Sequence, residues 1–244
     1  MKVRVFKRAT GDGYDLKVLH PGATVQDYLD AMNDFIDKNS QPPCRGCDEC
    51  CWERIPLTSI DVIGYVEKLG DQLKLDSQWP LLDFLKKYAY IYVEGGAVDI
   101  SLGFTIEGAC GFLNQEDRIC SSYAARSLVC QSFICMESTQ RARELRSELV
   151  NTGMDELVRL WLVQSRQAGR KPYVHEKHHA DPILEDYPAN GFTKKTSYSQ
   201  VLLAEVCSQR LWNKLIRHGF QQLSPVNPGS KAGIAKRNVE KNIW

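Results

Sequence analysis

The chain has 244 residues, 43% of them hydrophobic and 25% charged, and a formal net charge of +1. That length suits one large or two small soluble domains with a substantial core, and the near-neutral charge supplies no general attraction to nucleic acid or anionic lipid. The N-terminal MKVRVFKRATGDGYD has no apolar signal region, and no later run approaches the roughly 20 apolar residues of a membrane span. The expected compartment is the cytosol, where thiols stay reduced; this and the odd cysteine count, nine, argue against a disulfide framework.

Residues 1–19 read as a β-hairpin, with MKVRVFK and YDLKVL flanking the Gly11-Asp12-Gly13 turn. A helix follows Gly22. Thr24 suits its N-cap, and Val25, Tyr28, Leu29, Met32, Phe35 and Ile36 recur at helical spacing. Asn39 to Pro43 end it. Residues 58–69 and 79–90 read as two helices broken by Gly70 and Pro80. AYIYVE and AVDIS alternate around Gly95-Gly96 as a second hairpin. Residues 121–133 suit a short helix, and 137–167 a long one with an interruption near Gly153. Residues 169–196, with Pro172, Pro182 and Pro188, read as a long loop. A last helix is expected from Ser197 to His218, stopped by Gly219, before a mobile tail from Ser224.

The sum is an α+β chain, mostly helical with small β-hairpins, organised around a Cys-rich metal-binding core. The expected division is 1–40 for the N-terminal hairpin and helix, and 41–140 for the Cys-rich core. Residues 141–223 form a helical region packed on that core, and 224–244 the tail.

The cysteines carry the functional signal. Eight of the nine lie between Cys44 and Cys135. They open as Cys44-x2-Cys47-x2-Cys50-Cys51 and continue with Cys110, Cys120, Cys130 and Cys135. Thiolates are soft ligands, and this density at short spacing points to a metal. The triple Cys-x2-Cys-x2-Cys is the opening spacing of bacterial ferredoxin loops, which wrap an iron–sulfur cluster; the closing Cys-Pro of those loops is absent, and Trp52-Glu53 follows instead. Cys51 adjoins Cys50, and neighbouring side chains diverge, so the pair is not expected to share one mononuclear ion. Cys51 then serves a second centre, bridges two irons, or packs as a small hydrophobe. The later cysteines either complete the first site or build another. Cys207, alone on a helix, reads as a buried inert thiol.

These residues resemble the YkgJ-type cysteine-cluster family, the zinc- or iron-chelating CxxCxxCC domain. Cys44-x2-Cys47-x2-Cys50-Cys51 is close to its opening signature. Cys110-Gly-Phe-Leu resembles its Cys-x-Phe-Leu element, and Cys120-x2-Tyr123-x2-Arg126-x3-Cys130-x2-Phe133 its Cys-x2-Tyr-x2-Arg-Pro-x2-Cys-x2-Phe element. Ser127 stands where the family has proline, which puts the turn before Cys130 in question. The resemblance spans 44–135 and implies a metal-binding cluster. Cys44, Cys47 and Cys50 lead the ligand set, Cys110, Cys120 and Cys130 follow, and Cys51 and Cys135 stand at its margin. One branch of the family contains flagellin lysine methylases, but no Gly-rich strand-to-helix turn for a nucleoside cofactor is visible here.

Tyr123 and Arg126 sit one helical turn apart and are candidate cofactor contacts. Arg126 would donate to cluster sulfurs and offset their charge; the competing reading is a salt bridge to Glu107 or Glu116. His175-Glu176-Lys177-His178-His179 satisfies the metalloprotease motif His-Glu-x-x-His, yet Pro172 and Pro182 bracket it and no apolar face supports the helix it needs. A solvated loop, or one extra metal ligand, are the remaining readings.

The expectation from sequence is therefore a cytosolic iron–sulfur protein, most naturally [4Fe–4S], with a redox or maturation role. Its rivals are a structural zinc module, a non-cluster iron site, and a metal-dependent protein-modifying enzyme. The partner or substrate is a protein of unspecified identity, with no nucleic acid and no membrane.

Overall fold

The computed structural model describes residues 1–9, 11, 13–40 and 46–220, with side chains to residue 216. Cys44 and the tail expected from Ser224 lie outside these residues. The fold is α+β, with small sheets set among helices. The first hairpin is β1 (Val3–Lys7) and β2 (Tyr14–Val18), antiparallel in the register Val3↔Val18 to Lys7↔Tyr14. Helix α1 (Val25–Asn39) buries the six apolar residues its periodicity selects. Thr24 caps it reciprocally with Asp27.

Helix α2 (Ser59–Leu69) carries the same device in Thr58 and Asp61. Helix α3 (Pro80–Tyr88) begins with Pro80 at its first turn, where the missing N–H costs nothing, so this proline starts the helix. It ends at Tyr88 because Ala89 already belongs to β3 (Ala89–Glu94). β3 pairs antiparallel with β4 (Ala97–Leu102) through the expected Gly95-Gly96 turn.

Four expectations need correcting, each because tertiary contacts override a local signal. The 121–133 stretch splits into a 3-10 turn, Tyr123–Ala125, and helix α4 (Leu128–Ser132). Arg126, extended at ψ 141, separates them. Helix α5 (Gln140–Gln167) runs through Gly153 without interruption. The glycine is there for close packing: a Cβ would meet the Thr58 Cγ2 at 2.6 Å. The 169–196 segment contributes β7 (Glu176–His178), parallel to β3, so the order is β4-β3-β7. The final helix is broken into a 3-10 turn at Tyr198–Gln200, α6 (Leu203–Val206) and α7 (Gln209–Phe220). Val201 and Leu203 there trade backbone hydrogen bonds with Val25 and Ala23, which holds the chain extended between the pieces. Gly219 falls within α7 instead of stopping it.

Two hydrophobic cores result. The first gathers the N-terminal hairpin, α1, and the C-terminal pieces, including the buried Cys207. The second lies between α2, α3 and the β3–β4 sheet. Helix α5 serves both: Leu145 and Leu149 enter the first, Leu157 and Trp161 the second. At the seam sits Asp61, fully enclosed. It accepts hydrogen bonds from the Thr58 N–H (2.9 Å), the Leu128 N–H (2.7 Å) and the Tyr198 hydroxyl (2.6 Å). Burial pushes this carboxyl above its usual range despite those donors. Among the described residues, no helix is long and apolar enough to cross a membrane.

Candidate metal centre

The thiols converge from separate elements. Residues Glu49–Trp52 form a 3-10 turn that carries Cys50 and Cys51. The Cys51 carbonyl accepts the Cys110 N–H at 2.7 Å, docking the 104–113 segment on that turn. Cys110 also bridges Phe104. From there the chain makes a two-residue ladder, β5 (Leu113–Asn114) with β6 (Ile119–Cys120), in which Cys120 pairs with Leu113. Cys130 comes from α4.

Six thiols, Cys47, Cys50, Cys51, Cys110, Cys120 and Cys130, line one cavity of about 50 Å³, together with Tyr123 and Arg126. One water needs roughly 10–15 Å³ on the same scale, so the space suits a group of several atoms. Tyr65 and Phe112 form an apolar wall, their rings stacked at 5.1 Å. No three of the described His, Cys, Asp or Glu side chains converge closely enough to chelate a single ion.

Cys50 and Cys51, not expected to share one mononuclear ion, both line this cavity from the 3-10 turn. Cys135 does not line it and is exposed, carried past the cavity as the chain leaves α4. No disulfide joins the described cysteines.

The cavity thiols differ in how readily they lose a proton. A hydrogen bond from Cys51 and the nearby Arg126 charge hold the Cys50 thiol down to about 7, against the opposing effect of burial. The same bond, with burial, pushes Cys51 upward. Burial raises Cys110 to about 11 and Cys130 to about 12, with neighbouring thiols adding to both. Bound metal reverses that cost, since its charge deprotonates coordinating thiols.

Arg126 adds an orienting charge. Its guanidinium lies 3.9 Å over the Tyr123 ring and donates to Asn33 Oδ1 at 3.3 Å. Its Nε–H is buried without a partner among the described residues. No ion pair joins it to Glu107 or Glu116. An unpaired buried donor is costly unless a ligand accepts from it, and sulfur of a bound cluster is such an acceptor.

Ser127 resolves the departure from the family pattern. Its φ of −61 is the angle a proline would hold, and Arg126 before it has the extended ψ that a proline would demand. The serine hydroxyl then caps α4 by accepting the Cys130 N–H at 3.4 Å.

Two contributors escaped the sequence reading. Asp48, between Cys47 and Cys50, accepts from the Arg118 Nε at 2.9 Å and its terminal nitrogen, and from Trp52 Nε1 at 3.4 Å. This clamp fastens the first cysteine loop to the β5–β6 turn. Ser122 lies 3.3 Å from the Cys120 sulfur. No spacing rule selects Asp48, because its partner Arg118 is distant in sequence; Ser122 is set by Cys120 two residues before it, a contact that no ligand spacing marks.

The protease motif is not assembled. Glu176 and His178 occupy a strand, where His175 and His179 cannot share a helical face. His175 Nδ1 accepts the Ile91 N–H at 3.1 Å, and Glu176 accepts from the Tyr90 hydroxyl. The segment is solvent-exposed as expected but forms a strand instead of a loop, and it is not part of the cysteine cavity.

No solved structure matches the chain. Residues 43–148, which span the six cavity thiols, match the family model CxxCxxCC, described as "Putative zinc- or iron-chelating domain", and the protein is on this ground a metal-binding cysteine-cluster protein.

Proposed function

We propose that the cysteine cavity binds an iron–sulfur cluster, [4Fe–4S], and that the protein uses it in a redox or maturation role. The observation that carries this reading is the gathering of six thiols around one multi-atom cavity. A cavity of several atoms' volume exceeds the single position of a zinc ion, and no three of the described side chains converge on one ion. Cys47, Cys50, Cys110, Cys120 and Cys130 are the ligand candidates lining the cavity, with Cys44 as the further candidate from the opening motif. Cys51 is close enough to serve in place of one of them. When bound, the cluster would supply one-electron chemistry. The chain's part is to exclude water with Tyr65 and Phe112, and to hold a donor at Arg126 Nε.

The test is anaerobic purification followed by iron, zinc and acid-labile sulfide analysis with an absorption spectrum. Matched iron and sulfide, with a visible band that bleaches on reduction, is the expected result. Zinc alone in colourless protein overturns it in favour of a structural zinc module. Iron without sulfide overturns it in favour of a thiolate–iron centre.

A further inference from the structure

Large apolar side chains left in water are informative when they gather. In this molecule Trp52, Phe104, Ile106 and Ile119 lie on three loops that also carry cavity thiols. Each is exposed, and Ile106 is 98% exposed. The loops are laced to one another. Trp52 donates to Asp48, whose carboxylate holds Arg118, the neighbour of Ile119. Glu107, beside Ile106, lies near Thr105 and near Gln115 of the β5–β6 turn. Phe104 bridges Cys110, and the Cys110 N–H binds Cys51, the neighbour of Trp52. The apolar residues therefore frame one face over the cavity.

The charges on this face are one-sided. Glu49, Glu53, Glu107, Glu116 and Asp117 are exposed there. The two described bases on the same loops are neutralised: Arg54 pairs with Asp99 at 3.1 Å and Arg118 with Asp48. Lys68 and Arg146 are held on other segments, against the Ala124 carbonyl and the Phe133 ring. A second copy of this face would meet acid with acid, and nucleic acid or an anionic membrane would be repelled.

We propose that this face docks a basic electron-transfer protein, one that presents its own apolar contact patch within a ring of lysines or arginines. The inference rests on the redox reading above. Apolar contact with charged steering suits a short-lived encounter, in which a small interface releases its partner after transfer. One electron would leave the reduced cluster of this protein and reduce the partner's oxidised centre, with no bond made or broken.

The test uses the holoprotein with cytochrome c as the basic redox probe. Binding is measured by titration and located by hydrogen–deuterium exchange; electron transfer is followed by stopped flow. The expected footprint covers residues 49–54, 104–109 and 114–119. The second-order rate should fall as salt rises. Glu49→Lys and Glu116→Lys should each weaken binding about threefold at low salt. Ile106→Ser, at a position too exposed to disturb folding, should weaken binding with little change in salt dependence. A footprint elsewhere, a rate that rises with salt, or binding indifferent to all three variants overturns the proposal. Binding without electron transfer by a protein with iron and sulfide also overturns it. Absence of iron and sulfide would instead defeat the cluster reading, while the footprint and variants still decide the docking face.

Discussion

The two cores close by different means. The first is sealed by aliphatic and aromatic side chains from the hairpin, α1 and the C-terminal pieces, and beside it Arg141 grips Asp15 with both nitrogens, at 2.7 and 2.6 Å. The second reaches the same apolar density between α3 and the β3–β4 sheet, then opens at its edge into six thiols and an unpaired guanidinium nitrogen. One region is finished by its own side chains. The other leaves a buried donor, Arg126 Nε, beside a group of thiols. Helix α5 passes through both cores.

The strongest way to break this comparison is at the seam, where both regions share a residue. Asp61→Ala strands the Leu128 and Thr58 N–H groups and the Tyr198 hydroxyl in a dry environment. It should cost about 3–5 kcal/mol in chemical denaturation. A loss below about 1 kcal/mol would mean that the two halves are not joined there.

Metal removal should separate the regions more cleanly. Chelation of the holoprotein is expected to raise hydrogen exchange through 46–54 and 104–131 while β1, β2 and α1 keep their protection. Uniform loosening would show a single cooperative unit. Cys47→Ala should lose metal and Cys207→Ala should keep it, since Cys207 is packed in the first core. Retained metal in the Cys47 variant would remove that residue from the ligand set.

Smaller effects sharpen the picture. Burial alone would raise Asp15, but Arg141 and Thr139 override it and hold the carboxyl below its usual range. A depressed folded value means that this contribution is present above the ordinary carboxylate pKa and is lost as pH falls through the folded one. Asp15→Asn should therefore cost about 1–2 kcal/mol at neutral pH, less than a fully buried pair because water reaches it. The gap from wild type should shrink below about pH 4. A gap that persists in acid would point to packing instead of charge. Last, Ser127→Ala should cost about 1 kcal/mol by removing the α4 cap. Ser127→Pro should be tolerated, because the backbone already holds proline's φ. A Ser127→Pro variant that fails to fold would show that the hydroxyl, not the backbone, sets this turn.

Local signals were sufficient wherever a pattern closes on itself within a few residues. Both hairpins, the buried face of α1 and the Thr24 cap follow from alternation, helical spacing and turn chemistry, which need no distant partner. The dense opening cysteines spoke for metal on the same terms, because ligand spacing within one loop is a local property. Tertiary structure decided the rest. It broke the helix expected from Ser197 to His218 by pairing Val201 and Leu203 with the start of α1, and it kept α5 intact where Gly153 fits against Thr58. It turned Cys50 and Cys51 toward the same space, brought Cys110, Cys120 and Cys130 to it, and left Cys135 outside. Spacing along the chain fixes which thiols can share a loop. Only the docking of one loop on another, through bonds such as Cys110 to Cys51 and Arg118 to Asp48, determines which share a cavity.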